Sequence, residues 1–395
     1  MSTQPQTQPR IEWTEAGETR SARWRSENGA LPPKRVLLAN DTLGADEAYR
    51  LTSEGTALLW RGDFQNARHL LQALARRIDR PKKAKKAKPG LAEPSPADLF
   101  NLHRQAQSQR ARTLAMVVLE FDGAHHSVLR RAPDVVQACR EVYGPGDLAQ
   151  GPYVVSLREL LGLISVHEWR SKGVEIAALD GQRIHPHYGV FAPVRSEYLG
   201  LVADTALPSA LGADGVAFDI GTGTGVLAAV LARRGVNRVV ATDQDPRAMA
   251  CARDNIKRLA LTAQVNLQQT DLFPEGRAPL IVCNPPWVPA RPSSPIEHAV
   301  YDPDSRMLRG FLSGLAVHLA PGGEGWLILS DLAEHLGLRT RADLLAWIDA
   351  AGLQVLARVD AKPQHSKVFD VDDALHAARA AEVTSLWRLG AKTLA

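Results

Sequence analysis

Residues 216–225 read VAFDIGTGTG, an apolar run that ends in an acid and passes directly into three alternating glycines. The run predicts a β-strand covered on both faces, since it is short, apolar and bounded by turn residues. Gly221, Gly223 and Gly225 let the backbone turn sharply and approach a ligand where a Cβ atom would collide. A helix is predicted over 224–234, so the stretch forms a strand, a ligand-binding turn and a helix.

Strand and helix patterns alternate from this point onward. Further strands are predicted over 239–243, 265–269, 280–284, 325–330, 353–359 and 385–389, and further helices over 246–260, 303–319 and 340–351. Alternating units of this length predict an α/β fold with a doubly wound, Rossmann-like sheet, whose ligands bind beyond the carboxyl ends of the strands. Residues 206–395 are therefore expected to form the ligand-binding domain.

The preceding sequence divides by composition. In chain order we expect a disordered tail (1–30), a substrate-selecting, mainly helical domain (31–170) with a basic linker inside it (81–96), and a connector with a β-hairpin (171–205). The hairpin is expected because Asp180-Gly181 favours a tight reversal. The helical expectation rests on apolar residues at helical spacing, which include Leu58, Leu59, Leu70, Leu71 and Leu74.

The net charge is +4, from 47 Lys and Arg against 43 Asp and Glu. Five lysines within residues 82–88 account for it, since the rest of the chain carries −1. The basicity is therefore local. It indicates either a solvated linker or a short phosphate-binding segment, rather than a basic surface spread over the fold.

Composition excludes several classes of protein. With 45% hydrophobic and 23% charged residues, the chain resembles a folded globular protein. It has no apolar run long enough to cross a bilayer, and its first residues lack the pattern of a secretory signal. Cys139, Cys251 and Cys283 are spaced for neither a disulfide framework nor a zinc site. We therefore expect a cytoplasmic protein with no membrane partner and no metal.

Three acids lie at the ends of the first three predicted strands of the sheet: Asp219, Asp243 and Asp271. The glycine spacing differs from the G-x-G-x-x-G that seats a pyrophosphate, so a ligand with an ammonium group and no phosphate fits better. The Asp243 carboxylate has the acceptor geometry for both hydroxyls of a ribose, and Asp271 is placed to contact an adenine amine. Each acid has the alternative role of a helix cap or turn residue.

Asn284-Pro285-Pro286-Trp287 follows the fourth predicted strand. A planar amide or ring amine is a poor nucleophile because its lone pair is delocalised, so a catalyst must hold both hydrogens. The Asn284 side-chain oxygen and the Pro285 carbonyl can each accept one hydrogen. Tandem prolines fix the backbone, and Trp287 offers a flat face for stacking. The alternative is an Asn-Pro turn with an incidental tryptophan.

These motifs together resemble those of class I S-adenosylmethionine-dependent methyltransferases that modify nitrogen. More narrowly, they resemble the small-methyltransferase group, which contains the HemK-like protein glutamine methyltransferases and certain rRNA guanine-N2 methyltransferases. The resemblance covers roughly residues 185–395 and implies strand order 3-2-1-4-5-7-6 and the cofactor S-adenosyl-L-methionine. It implies that the cofactor is held by Asp219, Gly221, Gly223, Gly225, Asp243 and Asp271, and that the accepting nitrogen is presented by Asn284, Pro285, Pro286 and Trp287.

The resemblance also bears on the substrate. Pro193, Arg195 and Glu197 are similar to a segment ahead of the glycine motif in HemK-like enzymes, although their spacing differs. Asp302-Pro303 is similar to an acid-proline segment after the catalytic motif, or is an ordinary helix start. A protein glutamine side chain is the expected acceptor. The alternatives are an amine of an rRNA or DNA base, and an inactive cofactor-binding assembly factor.

Overall fold

The computed structural model of the chain describes residues 9–80, 93–194, 197–213, 215–363, 370 and 373–392. The chain forms two compact units: Met1–Glu93 with Leu102–Glu168, and Pro94–Asn101 with Trp169–Ala395. The five lysines of the predicted linker, and Arg195, lie outside the described residues. No helix in the described part of the chain is long and apolar enough to cross a membrane.

Residues 10–172 contain a sheet with helices between its strands. The elements are β1 (Arg10–Glu15), β2 (Glu18–Arg25), β3 (Arg35–Ala39), α1 (Ala45–Ser53), β4 (Thr56–Trp60), α2 (Phe64–Ile78), α3 (Pro96–Leu114), β5 (Val117–Phe121), α4 (Val136–Tyr143), β6 (Tyr153–Ser156) and α5 (Leu157–Lys172). The strand order is β1-β2-β6-β5-β4-β3. The strands β3, β4 and β5 are parallel, and β6 is antiparallel to β5.

This sheet corrects two predictions. Leu58 and Leu59 lie in β4, which is buried along its whole length, because a contiguous apolar run suits a fully covered strand as well as a helix. Residues 10–25 of the predicted disordered tail form β1 and β2, whose Trp13 and Trp24 are buried in a common apolar cluster. The first unit is therefore an α/β structure: it contains more helix than strand, but it also contains a six-stranded sheet that the expected mainly helical domain did not include.

The connector contains the predicted β-hairpin. Its strands, β7 (Val174–Glu175) and β8 (Arg183–Ile184), pair antiparallel. Asp180 and Gly181 have φ angles of 54° and 78°, in the left-handed region that tight reversals use. The hairpin prediction is confirmed.

The second unit contains the predicted large sheet. Its further elements are α6 (Glu197–Asp204), β9 (Val216–Ile220), α7 (Val226–Arg233), β10 (Arg238–Asp243), α8 (Pro246–Arg258), β11 (Val265–Gln269), β12 (Ala278–Cys283), α9 (Arg306–His318), β13 (Leu319–Ser330), α10 (Leu332–His335), α11 (Arg341–Ala350), β14 (Leu353–Ala361), α12 (His376–Ala381) and β15 (Thr384–Ala391). The seven strands lie in the order β11-β10-β9-β12-β13-β15-β14, with β15 antiparallel to both its neighbours. Numbered from β9, this is 3-2-1-4-5-7-6, so the predicted Rossmann-like sheet is confirmed.

Helices cover both faces of this sheet. Ala217 of β9 belongs to an apolar cluster with α6 and α7, while the adjacent Phe218 belongs to a second cluster with α9 and α11. The helix α7 is apolar on every side and buried from Val226 to Ala232, as a helix enclosed in a core must be. Because β9 is packed on both faces, the position of the glycine turn that follows it is fixed by the core.

Candidate functional site

A cavity of about 420 Å³ lies at the carboxyl ends of β9, β10 and β12, where ligands bind in doubly wound sheets. Eight of the ten predicted site residues line it; Asp219 and Gly225 do not. Its walls also contain residues that sequence reasoning missed, among them Val190, Phe191, Tyr198, Thr222, Gln244, Arg306, Met307 and Leu332. Thr222 and Gln244 lie within or beside the predicted motifs, whereas the others come from segments without a predicted site residue and are brought to the cavity by the fold.

The glycines of the turn serve different purposes. Gly221, Gly223 and Gly225 all have positive φ angles, of 73°, 56° and 82°, which favour glycine at each position. A Cβ atom at Gly221 would collide with the end of Met307, whereas Gly223 borders open space. At Gly225 a Cβ would lie 3.4 Å from Ala252 of α8. Two of the glycines therefore shape the cavity, and the third lets the turn pack closely against a helix.

Asp219 lies behind the glycine turn and is completely buried. Its Oδ2 accepts hydrogen bonds from the Thr222 hydroxyl at 2.6 Å and from the Ala228 N–H at 3.0 Å. Its Oδ1 has no hydrogen-bond partner in the described part of the chain. Burial raises the pKa of Asp219 to about 6. This carboxylate therefore holds the turn and the start of α7 together rather than facing the cavity.

Asp243 faces the cavity from the end of β10. Its Oδ1 accepts a hydrogen bond from the Asp245 N–H at 2.9 Å, and its Oδ2 accepts one from the Gly223 N–H at 3.0 Å. Burial raises the pKa of Asp243 above its usual range. Because a carboxylate oxygen has more than one lone pair, both oxygens keep acceptor capacity for the two hydroxyls of a ribose.

Asp271 also lines the cavity, but its carboxylate is already paired. Its Oδ2 lies 2.5 Å from Nη2 of Arg306, at the start of α9, and both side chains are half exposed or more. An exposed pair of this kind contributes little to stability. If Asp271 contacts an adenine amine as predicted, its carboxylate would make that contact while it is also paired with Arg306.

All four residues of the Asn-Pro-Pro-Trp tetrapeptide line the cavity. The indole Nε1 of Trp287 donates a hydrogen bond to Oδ1 of Asn284 at 2.8 Å. Trp287 is partly buried and packs against apolar clusters on both faces of the sheet. The ring is therefore built into the core as well as exposed to the cavity.

Backbone hydrogen bonds fix the segment that follows the tetrapeptide. Val288 donates to the carbonyl of Val300 at 3.2 Å, and Asp302 donates to the carbonyl of Val288 at 2.9 Å. The Asp302 carboxylate accepts from the N–H groups of Met307 and Leu308, and burial raises its pKa. The Asp302 carboxylate therefore satisfies N–H groups in the first turn of α9, although Ser305 and not Asp302 is the N-cap residue of that helix.

The segment before α6 lines the cavity with residues other than the predicted ones. Gly189, Val190 and Phe191 line the cavity, whereas Pro193 and Glu197 do not. The stretch is anchored upstream, where His187 Nε2 lies 2.9 Å from the Asp254 carboxylate of α8. In the described residues, no group of three His, Cys, Asp or Glu side chains is arranged to hold a metal.

Comparison with known proteins finds similarity within the second unit. Residues 182–338 match the family model "Methyltransferase small domain". A ribosomal protein L11 methyltransferase from Pelotomaculum thermopropionicum is 36% identical over 147 residues, 36% of this chain and 40% of that protein. A release factor glutamine methyltransferase from Cereibacter sphaeroides is 32% identical over 176 residues, 41% of this chain and 58% of that protein. The chain thus spans about half the length of the curated relatives it matches.

Among solved structures, a ribosomal protein L11 methylase from Lactobacillus delbrueckii subsp. bulgaricus is 20% identical to this chain. The match covers 49% of this chain and 76% of the other, with a TM-score of 0.33. TYW2 from P. horikoshii is 17% identical, and the match covers 53% of this chain and 68% of that one, with a TM-score of 0.36.

Proposed function

We propose that the chain transfers a methyl group from S-adenosyl-L-methionine to a planar amide or exocyclic amino nitrogen, because residues 182–338 match the methyltransferase small domain model. One observation carries this proposal: the glycine turn, Asp243 and the Asn-Pro-Pro-Trp tetrapeptide face a single cavity. The residues proposed to bind the nucleoside part of the cofactor and those proposed to hold the substrate nitrogen therefore line the same cavity.

The cavity fits the proposed cofactor. The open space beside Gly223 is a cradle that a Cβ atom would fill, and Asp243 next to it keeps acceptor capacity for ribose hydroxyls. Among the residues that the structure describes, the charged ones lining the cavity are Asp243, Asp245, Asp271 and Arg306. A predominantly acidic lining suits a cationic, phosphate-free ligand better than a dinucleotide.

The residues of the tetrapeptide would do the positioning work of the reaction. When bound, the cofactor supplies an electrophilic methyl group on a positively charged sulfur. Asn284 Oδ1 and the Pro285 carbonyl accept the two hydrogens of the substrate nitrogen, which leaves its lone pair directed at that methyl group. The same two oxygens would stabilise the positive charge that develops on the nitrogen as its bond to the methyl carbon forms and the carbon–sulfur bond breaks, and the methylated nitrogen would then release one proton to water.

For the acceptor, we propose a protein glutamine side chain. The relatives named release factor glutamine methyltransferase support this choice. The surroundings of the tetrapeptide support it too, since Val288 packs in an apolar cluster with Trp287 and Leu332, and all three line the cavity. Such a lining suits a neutral amide more than a nucleotide with its phosphate.

A second candidate acceptor is an amine of an rRNA or DNA base. The five lysines within residues 82–88 favour it, because clustered lysines neutralise phosphates and release counterions on binding. A third reading, an inactive assembly factor that binds the cofactor, is disfavoured by the intact tetrapeptide.

Mass spectrometry distinguishes these functions. Purified chain is incubated with deuterium-labelled S-adenosylmethionine and with bulk protein or ribosomal RNA from cells that lack the gene. We expect labelled methylglutamine in protein. A labelled base would replace glutamine as the acceptor, and cofactor binding without any labelled product would favour the assembly factor.

Replacing the five lysines by glutamine tests the acceptor a second way. If they contact phosphates, each lost contact lowers the slope of log affinity against log salt by about 0.9 on duplex or about 0.7 on single strands. For a glutamine-modifying enzyme we expect methylation to stay within about threefold, because exposed, screened charges only steer the encounter. A salt-steep, lysine-dependent affinity for RNA would contradict the glutamine assignment.

A further inference from the structure

In the hydrogen bond between Trp287 and Asn284, the indole must be the donor and the asparagine side chain the acceptor. The indole Nε1 lies 2.8 Å from Oδ1 of Asn284. An indole N–H is only a donor, while an asparagine amide has a donor end and an acceptor end. A flipped amide would place its NH2 group against the indole N–H, so the bond selects one orientation. The Oδ1 atom keeps a second lone pair for a substrate hydrogen.

The indole that makes this bond is firmly supported. Its ring packs against apolar clusters on both faces of the sheet. The carbonyl of Trp287 accepts from the buried Arg339 at 3.5 Å, and the next residue, Val288, is bonded to Val300. A side chain locked by packing can hold its neighbour within the narrow geometry that a reacting group requires.

We infer that Trp287 is a positioning residue for Asn284: its N–H group locks the amide so that the acceptor oxygen is held in one direction. The inference rests on the proposed function, because it concerns how the same site holds the substrate nitrogen. It assigns the effect to the N–H group. A stacking role needs only the aromatic ring.

Phenylalanine separates these two roles, since it keeps a ring and removes the N–H. We expect Trp287→Phe to lower methyl transfer from tritiated S-adenosylmethionine into bulk protein or ribosomal RNA by about tenfold, the usual effect of one lost hydrogen bond to an oriented group. In an Asn284→Ala background, the same change is expected to alter the residual rate by less than about twofold, because no amide remains to be oriented. Cofactor affinity, measured by calorimetry, is expected to stay within about threefold throughout.

Trp326 provides a matched control. It is fully buried in β13, outside the cavity lining, and its Nε1 donates to Oε2 of Glu324 at 3.0 Å. Trp326→Phe therefore removes the same kind of bond from the same domain. We expect it to lower the melting temperature without changing the methyl-transfer rate, which separates positioning from loss of stability.

Several outcomes would overturn the inference. A tenfold loss in both backgrounds would mean that Trp287 acts on the substrate itself, and full activity of Trp287→Phe would mean that its N–H does nothing. The bond is also visible without any substrate, as the indole 1H–15N resonance that Trp287→Phe removes. An unchanged resonance in Asn284→Ala would exclude the bond. If Asn284→Ala shifts this resonance but the wild-type chain transfers no methyl group, the hydrogen bond exists and the proposed function is rejected instead.

Discussion

The two sheets use acids and glycines differently at the carboxyl ends of their parallel strands. In the first unit, Asp41 follows β3, and its Oδ1 accepts a hydrogen bond from the Asp63 N–H at 2.9 Å. Asp63 in turn caps α2 and pairs with Arg131 at 2.6 Å. The Asp41 side chain also occupies the space beside Gly62, where a Cβ atom would collide with it. These acids hold loops to one another.

In the second unit, the corresponding space is open. Gly223 has no heavy atom where its Cβ would be crowded, and Asp243 faces the cavity beside it. The same residue types therefore hold loops together in one sheet and line a cavity in the other. The difference teaches that an acid at a strand end does not by itself indicate a binding site, because the space beside the neighbouring glycine can be filled or open.

The largest expected effect is on the rate of methyl transfer, and it comes from Asn284, which lines the cavity of the second unit. Asn284→Ala removes one of the two oxygens proposed to hold the substrate nitrogen, so we expect methyl transfer to fall by roughly two to three orders of magnitude. Cofactor affinity, measured by calorimetry, is expected to stay nearly constant. Lost cofactor binding with an unchanged turnover number would show that Asn284 serves the cofactor instead.

The next effect is on cofactor binding. Asp243→Ala removes the carboxylate proposed to bind the ribose, and we expect S-adenosylmethionine binding to weaken by about 1.5–3 kcal/mol, as for hydrogen bonds to a charged group. Calorimetry of the wild type and of Asp243→Ala measures the difference. Unchanged affinity in Asp243→Ala would place the ribose elsewhere.

A stability measurement sharpens the role of Asp219. Burial raises its pKa from 3.8 to about 6, so the folded state binds this proton more tightly than the unfolded state. The associated stability is present at low pH and is lost as pH rises through the folded-state pKa. Relative to Asp219→Asn, the wild type is expected to lose about 2 kcal/mol of unfolding free energy between pH 4.5 and 7. Parallel urea titrations of the two proteins at both pH values would show no such difference if the carboxylate were solvated.

The smallest effect on the cofactor is expected in the first sheet. Asp63→Ala removes the cap of α2 and the pairing with Arg131, so thermal unfolding should occur a few degrees lower. Affinity for S-adenosylmethionine is expected to stay within about twofold. A clear loss of affinity would mean that the strand ends of the first sheet also serve the ligand.

Local sequence was sufficient for much of the second unit. The prediction of β9 and of the turn and helix after it held because a short apolar strand, positive-φ glycines and an apolar helix are set by neighbouring residues. The same local reasoning failed at Leu58 and Leu59, where a contiguous apolar run fits a covered strand or a helix equally well. It also failed for β1 and β2. Their segment is polar apart from a few apolar residues such as Trp13 and Trp24, and these two side chains are buried only because other parts of the first unit pack against them.

By itself, the sequence determined the alternation of strands and helices in the second unit and eight of the residues that line the cavity, since both depend on residue types at short spacing. Only the tertiary structure decided what each side chain faces. It turned Asp219 inward, paired Asp271 with Arg306, and set the Trp287 indole against Asn284. These outcomes depend on contacts between segments far apart in the chain or on the direction in which a side chain packs, and residue spacing carries no information about either.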